Sequence, residues 1–136
     1  YFTQKFDAPN DLEKVCDLLR HRDEECQYFG AKTLLSWPAS TVTDAIKSIW
    51  DKHGSDYGVH YQVNCLVSQL GLQELSIITK ESLLEPAPQY AKSKIAATWG
   101  CLNLGLLECR ADIENLLMTS TWEPLRWTCA EVLRKL

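Results

Sequence analysis

The sequence is poor in the residues that mark several classes of protein. Its 136 residues include only six glycines and five prolines, too few for a collagen-like or low-complexity chain. The glycines are scattered, so no glycine-rich phosphate-binding loop is present. No uncharged run reaches the roughly 20 residues that a membrane-spanning helix requires. The length and the 46% hydrophobic content instead predict one globular domain over residues 1–136, without a membrane span.

Basic residues are also scarce relative to acidic ones. Lysine and arginine number 14 against 18 aspartates and glutamates, which gives a net charge of −4 and a pI near 5.3. Binding to a phosphate backbone depends on clustered basic side chains. The composition therefore disfavours a nucleic-acid partner.

A conventional start is missing as well. The chain opens with Tyr1, Phe2 and Thr3, without an initiator methionine or a charged-then-apolar leader. We expect a processed product, a trimmed chain or a fragment of a longer protein, and the sequence leaves these three open.

Cysteines are plentiful, but no pair has Cys-x-x-Cys spacing. This disfavours a zinc site or a thioredoxin-like motif. The cysteines fall on apolar or half-buried positions of the predicted helices, as free thiols do in a reducing compartment, so we predict a cytoplasmic protein. The six are Cys16, Cys26, Cys65, Cys101, Cys109 and Cys129, of which Cys65 and Cys129 are alternative candidates for reactive thiols.

Apolar residues recur at steps of three and four, which predicts helices throughout. Capping residues, glycines and prolines divide the pattern into eight predicted helices. They span about 11–21, 23–36, 41–53, 56–71, 72–84, 88–104, 107–118 and 121–136. Capping boxes are predicted at Asn10 with Glu13 and at Thr41 with Asp44, and an N-cap at Asp56. Gly54 is predicted to take a left-handed C-cap, and Gly71 and Gly105 to end their helices.

The even-numbered helices repeat. Their anchor residues, Cys26, Val59, Ala91 and Leu125, are separated by 33, 32 and 34 positions. Such spacing is typical of an α-solenoid, in which each hairpin of helices shields its neighbours.

These copies resemble the second helix of HEAT repeats, whose pattern is Asp-x-x-Val-Arg-x-x-Ala-Ala-x-Ala-Leu-Gly, including the short repeats of the phycobilisome-lyase type. Asp23 and Asp56 match the acidic position and Arg126 the arginine position. The segment Cys26-Gln-Tyr-Phe-Gly-Ala-Lys-Thr-Leu34 is also similar to a helix common in nuclear transport receptors. The resemblance implies an all-α solenoid of about four antiparallel hairpins, whose second helices line a concave surface.

Two positions of the repeat are candidates for that surface. The position two residues after each anchor holds Tyr28, Tyr61, Ser93 and Trp127, whose aromatic rings predict a binding column. Covering the seams between repeats is the alternative role for the rings, and the sequence slightly favours it. The preceding position holds Gln27, His60, Lys92 and Arg126, for which structural bonds are favoured over ligand contact. The predicted partner-binding residues are Tyr28, Tyr61, Lys94, Arg126 and Trp127.

Candidate chemistry is sparse. His53, Asp56 and His60 are the one local set that resembles metal ligands, but Asp56 is explained as a helix cap. The carboxylates of Asp112, Glu108 and Glu114 are predicted on a solvated helix face. We therefore predict no catalytic residue, metal site or cofactor.

The sequence favours a non-enzymatic module that binds a protein or peptide. The alternative is a HEAT-like enzyme or enzyme subunit, either bilin-lyase-like or similar to alkylpurine DNA glycosylases. Those glycosylases hold DNA in a basic groove lined by tryptophan, for which this chain offers Trp99, Trp122 and Trp127, with Arg126, Lys92 and Lys94. The helical phase, however, predicts Trp99 in the core.

Overall fold

The computed structural model describes Phe6, Asp7 and residues 10–136, so the opening Tyr1, Phe2 and Thr3 lie outside it. The described residues form eight α-helices and no strand, which confirms the all-α prediction. The helices are α1 (Leu12–Leu19), α2 (Glu24–Leu35), α3 (Ala39–His53), α4 (Tyr57–Leu70), α5 (Ser76–Leu83), α6 (Ala91–Asn103), α7 (Arg110–Thr119) and α8 (Glu123–Lys135). Short 3-10 turns at Gln73–Leu75, Pro88–Tyr90 and Leu107–Cys109 precede α5, α6 and α7.

The chain divides into two compact units, Tyr1–Leu66 and Val67–Leu136. The division falls inside α4, so the first unit contains α1 to α3 with most of α4, and the second contains the last turn of α4 with α5 to α8. Each unit is described separately below.

Of the three predicted N-terminal caps, the one at Asp56 is confirmed and the other two are wrong. The Asp23 carboxylate accepts the Glu25 backbone N–H at 2.9 Å, and that of Asp56 accepts the Val59 N–H at 3.1 Å, as N-caps do. The box predicted at Asn10 is wrong because the N-cap is Asp11, whose carboxylate instead accepts the Asp7 N–H at 2.7 Å.

The capping box predicted at Thr41 is wrong as well. Helix α3 begins two residues earlier, at Ala39, and Pro38 is its N-cap. The Pro38 carbonyl accepts the Val42 N–H at 2.9 Å, so the first helical hydrogen bond is already formed before Thr41 is reached. A proline at the boundary costs no hydrogen bond because the first helical N–H groups have no partner within the helix.

Two of the three glycine stops have the backbone conformation that only glycine adopts without strain. Gly71 and Gly105 have φ of 62° and 66°, in the left-handed region typical of a glycine after a helix. The left-handed cap predicted at Gly54 is wrong, because its φ is −60°. The chain there leaves α3 through a right-handed turn in which the His53 carbonyl accepts the Asp56 N–H at 2.9 Å.

The connectors that begin at Gly71 and Gly105 repeat one another closely. Gly71-Leu72-Gln73-Glu74-Leu75 recurs 34 positions later as Gly105-Leu106-Leu107-Glu108-Cys109. In each, the leucine after the glycine is buried and its N–H bonds to a carbonyl five residues earlier, at 3.1 Å and 2.8 Å respectively. A 3-10 turn then leads into the next helix. The second unit therefore contains two copies of the same connector structure.

The first unit closes around Leu19, at the end of α1. Gly30 of α2 lies so close to α1 that a Cβ there would be 3.1 Å from the Cβ of Leu18. Gly58 of α4 lies against the Leu19 carbonyl oxygen and the Gln27 amide. The fully buried residues of this unit are Val15, Leu19, Leu34, Ile46, Ile49, Val59, Val63 and Leu66.

The second unit is built from two antiparallel hairpins, α5 with α6 and α7 with α8, and α6 also packs on α8. In each hairpin, a side chain near the start of the first helix donates to carbonyls near the end of the second. Gln73 bonds to the Leu104 carbonyl at 2.8 Å, and Arg110 bonds to the Leu133 carbonyl at 3.2 Å. In both hairpins, a side-chain hydrogen bond therefore joins the start of the first helix to the end of the second.

The six cysteines are free thiols, all buried except Cys65, which is half-buried. Among the residues described, no helix has both the length and the apolar character needed to cross a membrane.

Candidate interaction surfaces

Two tryptophan rings meet on the surface of the second unit. The ring centroids of Trp99 on α6 and Trp127 on α8 are 6.5 Å apart, with 60° between the ring planes. This lies within the range of favourable aromatic pairs. Trp127 is 61% exposed and Trp99 is half-buried, so Trp99 supports Trp127 from beneath.

A cation completes this arrangement. The Lys135 Nζ lies 5.9 Å from the centroid of the Trp99 ring, within cation–π range. We call Trp99, Trp127 and Lys135 the tryptophan face. The sequence indicated Trp127, but placed Trp99 in the core and did not single out Lys135, because both contacts depend on how α6 and α8 cross.

The first unit carries a second aromatic surface. Tyr28 on α2 is 61% exposed and lies beneath the Lys32 ammonium, whose Nζ is 5.5 Å from the ring centroid. Tyr57 and Tyr61 lie one turn apart on α4, where Tyr57 is exposed and Tyr61 half-buried. We call Tyr28, Tyr57 and Tyr61 the tyrosine face. The sequence indicated Tyr28 and Tyr61, and the spacing of four residues between Tyr57 and Tyr61 is the signal that would have added Tyr57.

The environment of Tyr61 makes its hydroxyl hard to ionise. Burial raises the pKa of Tyr61 to about 12, and the neighbouring Cys65, Tyr57 and Glu24 add to the increase. Glu24 belongs to α2, one turn before Tyr28, and α2 and α4 lie side by side, since Gly58 of α4 lies against the Gln27 amide of α2. Tyr61 therefore presents a neutral phenol at physiological pH.

The repeat position that holds Gln27, His60, Lys92 and Arg126 makes contacts within the fold at three of its four members. Gln27 is buried and donates to the His21 carbonyl at 2.7 Å, while His60 is buried with its ring 5.1 Å from that of Trp50. The guanidinium of Arg126 donates to the Leu117 carbonyl at 3.2 Å and to the Glu123 carboxylate at 3.3 Å. Arg126 thus joins α8 to the preceding helix.

Two other positions from the sequence analysis, Lys94 and Ser93, do not belong to the tryptophan face. Lys94 precedes Trp99 by five residues, which places it about 140° around an α-helix. Lys94 therefore does not share the strip that Trp99 occupies. Ser93, which holds the repeat position of the aromatic residues, is buried.

The histidine and aspartate set has structural roles in the structure. Asp56 caps α4, His60 packs on Trp50, and the His53 carbonyl accepts the Asp56 N–H. Within the described ranges, no group of three or more histidine, cysteine, aspartate or glutamate side chains is arranged to hold a metal ion.

Other exposed apolar side chains lie on both odd- and even-numbered helices and in the turns between them, such as Leu35 on α2, Leu70 on α4 and Trp122 before α8. Met118 is 81% exposed on α7, and Ile77 and Leu107 are also exposed. Exposure alone therefore does not distinguish the tryptophan face. Its distinguishing feature is that an exposed ring, a supporting ring and a cation are fixed together on two packed helices.

A cleft of about 330 Å³ lies in the first unit. It is lined by Leu12, Trp37, Thr41, Asp44 and Ala45, and so combines apolar groups with one carboxylate and one hydroxyl.

Compared with known proteins, the chain matches no protein-family model, and no curated protein matches it.

Proposed function

We propose that the chain is a non-enzymatic protein-interaction module, a short HEAT-like α-solenoid whose second helices present a binding surface to a protein or peptide. In this proposal, the tryptophan face is the main contact surface. The single observation that carries it is the exposed Trp127 ring held against Trp99.

The repeated construction of the second unit supports the solenoid part of the proposal. Its two connectors share sequence, hydrogen bonds and the left-handed glycine, and its two hairpins are closed at the same end by Gln73 and Arg110. Helices α6 and α8, the second members of these hairpins, pack on each other. Such contacts between successive hairpins are what a helical-repeat stack requires.

The aromatic residues support the binding part. Trp and Tyr are the residues that most often dominate binding energy, because a large rigid ring gives much contact area at a small cost in conformational entropy. Leaving an indole 61% exposed contributes little to folding, whereas covering it with a partner removes apolar surface from water.

The test is an unbiased selection. Peptides are selected from a displayed random library against the full chain, and the affinity of selected peptides is measured for the wild type and for Trp127→Ala. We expect Trp127→Ala to raise the Kd about 30-fold, as the loss of a hot-spot residue does.

Met118→Ala is the matched control, because Met118 is even more exposed but lies on the first helix of its hairpin. We expect it to bind selected peptides with unchanged affinity, and both variants to keep the helical circular dichroism of the wild type. A library that yields no binding peptide, or peptides that bind Trp127→Ala as well as the wild type, would refute the proposed function.

A further inference from the structure

We infer that the tryptophan face takes an acidic peptide segment, in which an apolar or aromatic side chain covers Trp127 and flanking carboxylates meet the basic residues around the two rings. The inference rests on the proposed function and specifies the chemistry of the partner.

One basic residue lies about two helical turns from each ring along the same helix. Lys92 precedes Trp99 by seven residues on α6, and Arg134 follows Trp127 by seven residues on α8. Residues seven apart lie about 20° apart around a helix, so each cation is in line with its ring. With Lys135 over Trp99, three basic side chains belong to this surface, of which Arg134 is already paired with Glu131 at 2.7 Å.

The acidic residues of the same helices are few and are engaged. Helix α6 contains no aspartate or glutamate between Ala91 and Asn103. On α8, Glu123 pairs with Arg126 at 3.3 Å, and Glu131 pairs with Arg134 at 2.7 Å. The surface is therefore net basic in a chain whose net charge is −4, which favours a partner segment of negative charge.

A single-stranded nucleic acid would use similar groups, since bases stack on aromatic rings and phosphates meet basic side chains. Such sites combine the rings with a continuous basic groove. Here Glu131 lies four residues after Trp127, between the ring and Lys135 along the helix. A peptide can place its few carboxylates beside the cations and leave Glu131 uncontacted, whereas a polyphosphate backbone brings charge at every step.

The experiment measures fluorescence anisotropy of four labelled probes with the full chain at low salt. The probes are a short peptide of Asp and Glu around a central Phe, the same peptide with the acids replaced by Lys, the acidic peptide with Ala in place of Phe, and a short oligothymidylate. The protein variants are Trp127→Ala, Lys135→Glu and Lys47→Glu. Lys47 is an exposed lysine of α3 in the first unit and serves as the charge-matched control.

We expect the acidic peptide with Phe to bind at least about tenfold more tightly than the lysine and alanine peptides. Lys135→Glu should weaken it about tenfold and Trp127→Ala at least as much, while Lys47→Glu should leave it unchanged. Circular dichroism checks that each variant is folded.

Three outcomes would overturn the inference. If the lysine peptide binds more tightly than the acidic peptide, the surface prefers a basic partner. If the oligothymidylate binds more tightly than the acidic peptide, the partner is a nucleic acid. Failure of the acidic peptide to bind up to about 1 mM would remove the inference altogether. After any of these three outcomes, library peptides whose binding still depends on Trp127 would show that the proposed function holds although the inference about an acidic partner fails.

Discussion

Gly58 of α4 lies directly against the carbonyl oxygen of Leu19, where α1 ends. A Cβ built at Gly58 would overlap that oxygen and would come within 3.0 Å of the Gln27 amide. The backbone of α4 therefore approaches α1 and α2 as closely as it does because this residue has no side chain.

Gly58→Ala should consequently destabilise the fold. In an ordinary helix, Ala is more favourable than Gly by about 1 kcal/mol, but here the added methyl group must displace a backbone carbonyl. We expect the free energy of unfolding to fall by about 1–3 kcal/mol, as measured by urea denaturation. Ala130→Gly, at an exposed position of α8, measures the difference in free energy between Ala and Gly in a helix without a close contact. A gain in stability for Gly58→Ala similar to the loss in Ala130→Gly would contradict the close contact.

Gly105 should be required for its conformation rather than for space. Its φ is 66°, and no atom lies within 4 Å of the position that a Cβ would take. We expect Gly105→Ala to cost about 1 kcal/mol in chemical denaturation, because non-glycine residues are strained in the left-handed region. Gly105→Asn should cost less, since Asn tolerates this region better. Equal stability of the wild type and Gly105→Ala would show that the backbone there is not left-handed.

Local signals predicted much of the fold. Asp23 and Asp56 cap their helices because one carboxylate and one nearby N–H suffice, and Gly105 ends α6 because its conformation is local. The signals failed where a competing local bond decided the outcome. Asp11 took the cap position from Asn10, and Pro38 started α3 before Thr41.

The candidate surface was less accessible to sequence reasoning. Repeat spacing and helical phase were enough to indicate Tyr28 and Trp127 as exposed aromatic residues. The contacts of Trp99 with Trp127 and Lys135 required the crossing of two helices whose sequences are separated by a third, and no periodicity within one helix encodes that crossing. Arg126 was indicated for a partner, but its guanidinium is bonded within the second unit because the Leu117 carbonyl is within reach.

Tyr61 should titrate late and should make stability depend on pH at the alkaline end. Its pKa is about 12 in the folded chain, against about 10 for a free tyrosine. Because the folded pKa is the higher one, the contribution of Tyr61 to stability is intact below pH 10 and is lost progressively as pH rises from about 10 to about 12. We expect the difference in tyrosinate absorbance between the wild type and Tyr61→Phe to titrate near pH 12. A difference that titrates near pH 10 would show that Tyr61 is solvated.

The thiols should react in the order of their exposure. Burial raises the pKa of Cys101 and Cys129, so both are protonated as well as inaccessible, whereas Cys65 is half-buried. We expect iodoacetamide to alkylate Cys65 first in the native chain. Mass spectrometry of the digested protein measures the extent of alkylation at each cysteine. All six thiols should react in denaturant. Native alkylation of Cys101 at the rate of Cys65 would contradict the packing of the second unit.

The most direct measurement of the central claim, that the tryptophan face binds the partner, is the nuclear magnetic resonance of the tryptophan indole N–H groups during titration with a selected peptide. The indole of Trp37 provides an internal control, because it is buried in the first unit and donates to the Phe6 carbonyl at 3.0 Å. We expect the Trp99 and Trp127 signals to shift with the same saturation curve, while that of Trp37 stays in place. A peptide that binds at saturating concentration without moving the Trp127 signal would show that the partner occupies another surface.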